Sequence, residues 1–128
     1  MRYNNINRRS SFLGLQKGET MSLTINIYYT GSNGSARAFA KEMEQSGIAN
    51  DIRNERGNES YNYFLSMRNP DTVLLIDQWK DQKALDEHHN SPMMEKIAEL
   101  RDKYDLHMQV KRYVTVKDNE RDATYIRK

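Results

Sequence analysis

Cysteine is absent from the 128 residues, which excludes disulfide frameworks, thiolate zinc sites, iron–sulfur ligation and cysteine nucleophiles. That absence suits a reducing compartment, and a cytoplasmic location is the expectation. Long apolar runs are also missing: the longest uncharged one spans residues 73–76, far short of the ~20 residues of a membrane-spanning helix. Charge of one sign is not in excess either, since 20 basic and 18 acidic side chains leave a formal net charge of +2. No nucleic-acid partner is therefore expected. Phosphate loops, zincin motifs, nucleophile elbows and Asp-rich calcium loops do not occur, so nothing points to a metal or nucleotide cofactor. The 37% of hydrophobic residues suffices for one modest core, in a chain of single-domain length.

The charge is unevenly spread. Residues 1–20 carry +3, residues 21–116 carry −2 and residues 117–128 carry +1. The first segment has no sustained period of 2 or 3.6, and its one apolar cluster, Phe12, Leu13 and Leu15, is too short for a signal-peptide core. It reads as a flexible extension. Alternatively it is a mis-assigned start, because Lys17-Gly18-Glu19 can be encoded by a ribosome-binding sequence suitably placed before Met21. Residues 117–128 read as a charged C-terminal tail.

Between these ends the pattern is regular. Residues 24–29 alternate β-branched and aromatic side chains and predict a strand, followed by a loop at 30–34. Ala36, Phe39, Ala40 and Met43 recur at helical spacing, with Ser35 as N-cap and Gly47 as stop. Residues 51–58 are polar and read as a loop. Residues 60–67 and 72–79 predict two strands joined by a turn at Pro70, the second apolar on both faces. Asp81 caps a helix bearing Ala84, Leu85 and His88, and Pro92 opens another in which Met93 or Met94, Ile97, Leu100 and Tyr104 share a face. The last strand covers residues 108–116, with Arg112 interrupting its apolar face. This order, βαββαβ, predicts an α+β ferredoxin-like fold with an antiparallel sheet. Both helices would lie on one sheet face. Because strand 72–79 is apolar on both, the other face is expected to be covered by a second copy, giving a homodimer whose sheets enclose a cavity.

Asp77-Gln78-Trp79, followed by Ala84-Leu85-Asp86-Glu87-His88-His89-Asn90-Ser91-Pro92, resembles the antibiotic biosynthesis monooxygenase family. Glu55-Arg56-Gly57 is similar to the family's Glu-Pro-Gly before its second strand, with Arg56 in place of Pro. The likeness extends over about residues 22–116 and implies a dimeric α/β barrel. Two departures stand out. Met93 occupies the place where many relatives carry a second His, and the Trp and the haem-ligating His of the haem-degrading branch are missing at His88 and near Ala98.

The resemblance implies cofactor-independent monooxygenation with O2 of a small quinol-like or polyphenolic molecule. Such a substrate supplies its own electrons once deprotonated, so the protein must remove a proton, hold the anion and exclude water. His88 is the candidate base, with packing as the alternative role. Trp79 and Asp77 share a strand face, and either the indole N–H donates to a substrate or the ring simply packs. Asn26 with Tyr28, and Tyr61 with Tyr63, offer polar handles for substrate binding if their faces line the cavity. Arg112 could pair with Asp77, bind a substrate anion or reach solvent. Two other functions remain open: a proton-transfer isomerase using the same His88, and a non-catalytic small-molecule-binding dimer whose cavity is filled by side chains.

Overall fold

A computed structural model describes residues 22–128; the expectations for residues 1–20 lie outside the described residues. The elements run β1 (Leu23–Thr30), α1 (Ser35–Gln45), α2 (Ile48–Arg53), β2 (Asn58–Leu65), β3 (Thr72–Trp79), α3 (Gln82–His89), α4 (Met93–Lys103), β4 (His107–Val114) and α5 (Glu120–Ala123). The four strands form one antiparallel sheet in the order β2-β3-β1-β4. This is the ferredoxin-like α+β fold.

Strand alternation decides what each face carries. On β3, Val73, Leu75, Asp77 and Trp79 point under the helices and are buried, while Leu74, Ile76 and Gln78 point to the other face and are half-buried. The helical layer closes over the first set with Phe39 and Met43 of α1, Ile52 of α2, Leu85 of α3 and Ile97 of α4. Phe39 is wholly buried and meets Tyr29 at 4.8 Å between ring centroids, so its truncation to Ala should cost about 3–5 kcal/mol.

Several boundaries differ from the sequence reading, each for a local reason. Residues 48–53, half of which fell in the expected polar loop, form α2. Gly47 turns the chain there in the left-handed region at φ 89°, and the single turn and a half buries Ala49 and Ile52, too short a run for a period to show. The N-cap of α1 is Gly34 rather than Ser35, whose hydroxyl instead accepts from the Ser32 N–H at 3.0 Å. β2 stops at Leu65 because the Ser66 hydroxyl accepts the Arg68 and Asn69 N–H groups and starts the turn. β4 stops at Val114, which pairs with Leu23, the first residue of β1. Within the expected tail, Asn119 caps the short helix α5, accepting from the Arg121 N–H at 2.8 Å. Among the described residues, no helix is long and apolar enough to cross a membrane.

Candidate active site

The site begins with a close approach. Gly57 sits at φ +81° in the loop before β2, and a Cβ there would lie 2.4 Å from the Ala84 Cβ. Only glycine lets this loop lie against α3. The loop is fastened to the end of β3 by the Lys80 N–H donating to the Gly57 carbonyl at 2.8 Å. On the other side, the Asp81 carboxylate accepts from the Ala84 N–H at 2.9 Å and fixes the start of α3. One turn further along, α3 places His88 against this loop.

The consequence is a buried dyad. His88 Nδ1 lies 2.9 and 3.1 Å from the two carboxylate oxygens of Glu55, with side-chain exposures of 6% and 18%. Burial pushes Glu55 up to about 7 and His88 down to about 4, because both charged forms lose hydration. The other flank of His88 stacks on Trp79, with centroids 4.6 Å apart and planes 26° from parallel. Trp79 in turn donates its indole N–H to Asp77 Oδ2 at 2.6 Å. Asp77 Oδ1 is buried with no partner among the described residues, and burial lifts this carboxyl to about 6.

These groups border a cavity of about 310 Å³ between the sheet and helices α3 and α4. That lies at the lower end of ligand pockets and suits a molecule of one or two rings. Its inner, polar end carries Asp77, His88, Tyr29 and Tyr61, and its walls include Ile25, Ile27, Leu75, Leu85 and Ile97. Toward the edge strand lie Met94, Met108 and Val110, together with Arg101 and Arg112. Burial raises the Tyr29 and Tyr61 hydroxyls well above the ordinary tyrosine range, so both face the cavity as neutral hydroxyls. Among the described residues no cluster of three or more His, Asp or Glu is placed to hold a metal ion.

The expected site residues are thus partly brought together. His88, Asp77, Tyr61 and Arg112 line one cavity. Trp79 stands behind it, its N–H committed to Asp77 rather than offered to a ligand. Tyr63 is on the same sheet face but packs edge-on to Phe39 and reaches Tyr61 by a 3.4 Å hydroxyl contact, outside the cavity lining. Asn26 and Tyr28 do not join them: they pair with Ile76 and Leu74 of β3, whose side chains leave the sheet on the face away from the helices. Arg112 does not reach Asp77 and donates instead to Gln82 at 2.6 Å.

This cavity lies between the sheet and the helices of a single chain, and side chains do not fill it, whereas the cavity expected between two facing sheets requires a second copy. Glu55 and Arg101 were not singled out from the sequence. Glu55 was signalled by the Glu-x-Gly spacing before β2, and Arg101 by its place one helical turn after Ile97.

The profile of the antibiotic biosynthesis monooxygenase family matches residues 22–100. Among solved structures, the cofactor-independent oxygenase SnoaB from Streptomyces nogalater superposes with a TM-score of 0.64 at 13% identity, over 78% of this chain and 97% of that one. A candidate antibiotic biosynthesis monooxygenase from Deinococcus radiodurans gives a TM-score of 0.66 at 15% identity, over 76% and 95%. A protein from Pseudomonas aeruginosa gives 0.61 at 22% identity, over 78% and 97%. No curated protein matches the sequence.

Proposed function

The chain belongs to the antibiotic biosynthesis monooxygenase family, and on that premise we propose that it is a cofactor-independent monooxygenase acting with O2 on a small quinol-like or polyphenolic molecule. The observation that carries this reading is the Glu55–His88 dyad at the wall of a largely apolar cavity. The two groups exchange one proton across 2.9 Å and titrate as a pair rather than singly. Above about pH 7 the Glu55 carboxylate accepts the Nδ1–H of a neutral His88, which leaves the Nε2 lone pair for a substrate hydroxyl.

Proton transfer to Nε2 is then balanced by a shift of the Nδ1 proton toward Glu55. The pair thereby gains a proton without placing a net positive charge in the buried site. Its basicity is set near 7 although His88 by itself is held near 4. The substrate anion adds O2 at a ring carbon, and loss of water from the resulting hydroperoxide, with that carbon's hydrogen, leaves a ring carbonyl; the substrate supplies all four electrons, one oxygen atom enters the ring and the other leaves as water. Tyr29 and Tyr61 are positioned to donate hydrogen bonds to the anion, and the apolar walls keep bulk water from it. Asp77, unpartnered at Oδ1, accepts a second substrate hydroxyl.

The protein is further read as a cytoplasmic homodimer. The absence of cysteine supports the location, and the half-buried Leu74 and Ile76 with exposed Phe64 and Tyr113 on the open sheet face support the second copy. O2 uptake by metal-free protein with a panel of reduced naphthoquinols, corrected for autoxidation, tests the activity. Uptake lost in His88→Ala is the expected result. Turnover of a ketone substrate with solvent proton exchange but no O2 uptake would instead identify the isomerase, which uses the same dyad. Light scattering at micromolar concentration tests the dimer, and a monomeric mass would overturn it.

A further inference from the structure

Two guanidinium groups, Arg101 and Arg112, border the cavity on the side of β4. Arg53 is tied to both Glu44 oxygens at 2.8 and 2.6 Å, and Lys103 to Glu42 at 2.8 Å. Arg101 and Arg112, by contrast, have no carboxylate partner among the described residues. Arg101 donates to the Met108 thioether at 2.9 Å, a weak acceptor, and Arg112 to the neutral Gln82 amide. Each retains most of its five donors. They come from different elements, α4 and β4, yet line the same cavity.

At the opposite end stands the unpartnered Asp77 oxygen. Asp77, Ile25 and Arg112 form one row across β3, β1 and β4, which sets Asp77 and Arg112 two strand spacings apart, about 10 Å. The row is therefore polarised, with the Asp77 acceptor at one end and the exposed Arg112 guanidinium at the other, while Arg101 lies further along β4 beside Met108 and Tyr29. Apolar walls lie between the two ends.

We propose that the ligand of this cavity is a hydroxylated aromatic acid, held with its hydroxyl at Asp77 and His88 and its anionic group at Arg112. The assignment rests on the reading of this cavity as the substrate site and adds the anionic group to it. A two-ring skeleton spans the row and fits the volume. A guanidinium with free donors favours a planar carboxylate bound side-on, and a sulfonate or phosphate shares the charge but has tetrahedral geometry.

Trp79, the sole tryptophan and in contact with His88, reports binding by its fluorescence. The wild-type protein is titrated with 6-hydroxy-2-naphthoate, 6-hydroxynaphthalene-2-sulfonate and 2-naphthol, and the titrations are repeated on Arg112→Gln and on Arg101→Gln/Arg112→Gln. Arg112 is exposed, so its single variant keeps the fold if the double variant does not. The expected result is that the naphthoate binds about tenfold or more tightly than 2-naphthol, that Arg112→Gln reduces this preference and that the double variant abolishes it. A sulfonate matching the naphthoate supports the cationic mouth and assigns it to charge rather than carboxylate geometry. Equal affinity for naphthoate and 2-naphthol, or a preference unchanged in Arg112→Gln, overturns the anion assignment while leaving an aromatic-binding cavity. Binding of none of the three overturns both.

Discussion

The two faces of the sheet are built from alternate residues of the same strands, yet they treat polar groups in opposite ways. On the open face, Ser60 donates to Gln78 at 3.2 Å and Gln78 donates to Thr24 at 3.0 Å, a row that satisfies itself across three strands. On the helix face, Asp77 keeps one oxygen without a partner and Glu55 and His88 are both driven toward their neutral forms by burial. The first arrangement stabilises a surface. The second costs stability and concentrates proton-accepting groups beside a cavity, the arrangement on which the proposed activity rests. The open face has one exception, Asn26, whose Oδ1 is buried without a partner at the centre of that face.

The contrast is broken most strongly at the dyad. Glu55→Gln leaves His88 Nδ1 a neighbour that can hold it in place but cannot take its proton, so turnover of any substrate found should fall by about 10²–10⁴ while the fold persists. In the wild type, turnover should rise with pH through about 7, the value to which burial brings Glu55, and initial rates across pH 5–9 read it out directly. Gly57→Ala acts on the same face through the backbone. With its Cβ 2.4 Å from Ala84 and φ at +81°, it should lower stability by about 2–4 kcal/mol and loosen the Glu55 contact, seen as a reduced denaturant midpoint.

On the open face, Ile76→Lys should convert a dimer to a monomer in light scattering and leave the helix-face cavity in place. An unchanged mass would remove the second copy from that face.

A smaller effect sharpens the helix face. Asp77 binds a proton more tightly in the folded chain than in the unfolded one, so its contribution to stability is present below about pH 4 and is lost as pH rises through about 6. Asp77→Asn removes that loss. The variant should be about 2–3 kcal/mol more stable than wild type above pH 7, with a flatter stability profile, and less able to hold substrate.

The dyad should show the smallest effect. Unfolded, Glu55 and His88 titrate near 4.5 and 6.5; folded, the pair titrates near 4 and 7. Between pH 4.5 and 6.5 both states hold the same number of protons, so stability stays level there. It declines by less than about 1 kcal/mol as pH rises to 7 or falls to 4. Thermal melts from pH 4 to 8 on Asp77→Asn/His89→Gln, which also removes an imidazole that burial pushes down, read out this effect.

The sequence displayed the fold through its periods. The short apolar run of β3 and the three-to-four spacing in α1 and α3 were strong because these elements carry the deeply buried residues. It displayed His88 because the helix that carries it also carries Ala84 and Leu85. Which face of β1 held the cavity was not legible, since Asn26 and Tyr28 alternate with Ile25 and Ile27 and both pairs suit a half-buried strand. Only the register with β3 decides it. Glu55 was hidden for a different reason: it acts across 33 residues of sequence, through a loop whose position depends on a glycine meeting an alanine. Arg101 was masked by a helix face that reads as apolar packing up to Leu100.

Met94 and Met108 line the cavity, one on α4 and the other toward its mouth, where 40% of Met108 is exposed. A thioether is readily oxidised, and the proposed O2 chemistry in this chamber would expose both to any peroxide that escapes the substrate. Work therefore leaves wear. Protein recovered after many turnovers should carry sulfoxide at these two positions ahead of the exposed Met67, which lies outside the cavity, and peptide mass mapping would then read the age of a molecule in reaction cycles.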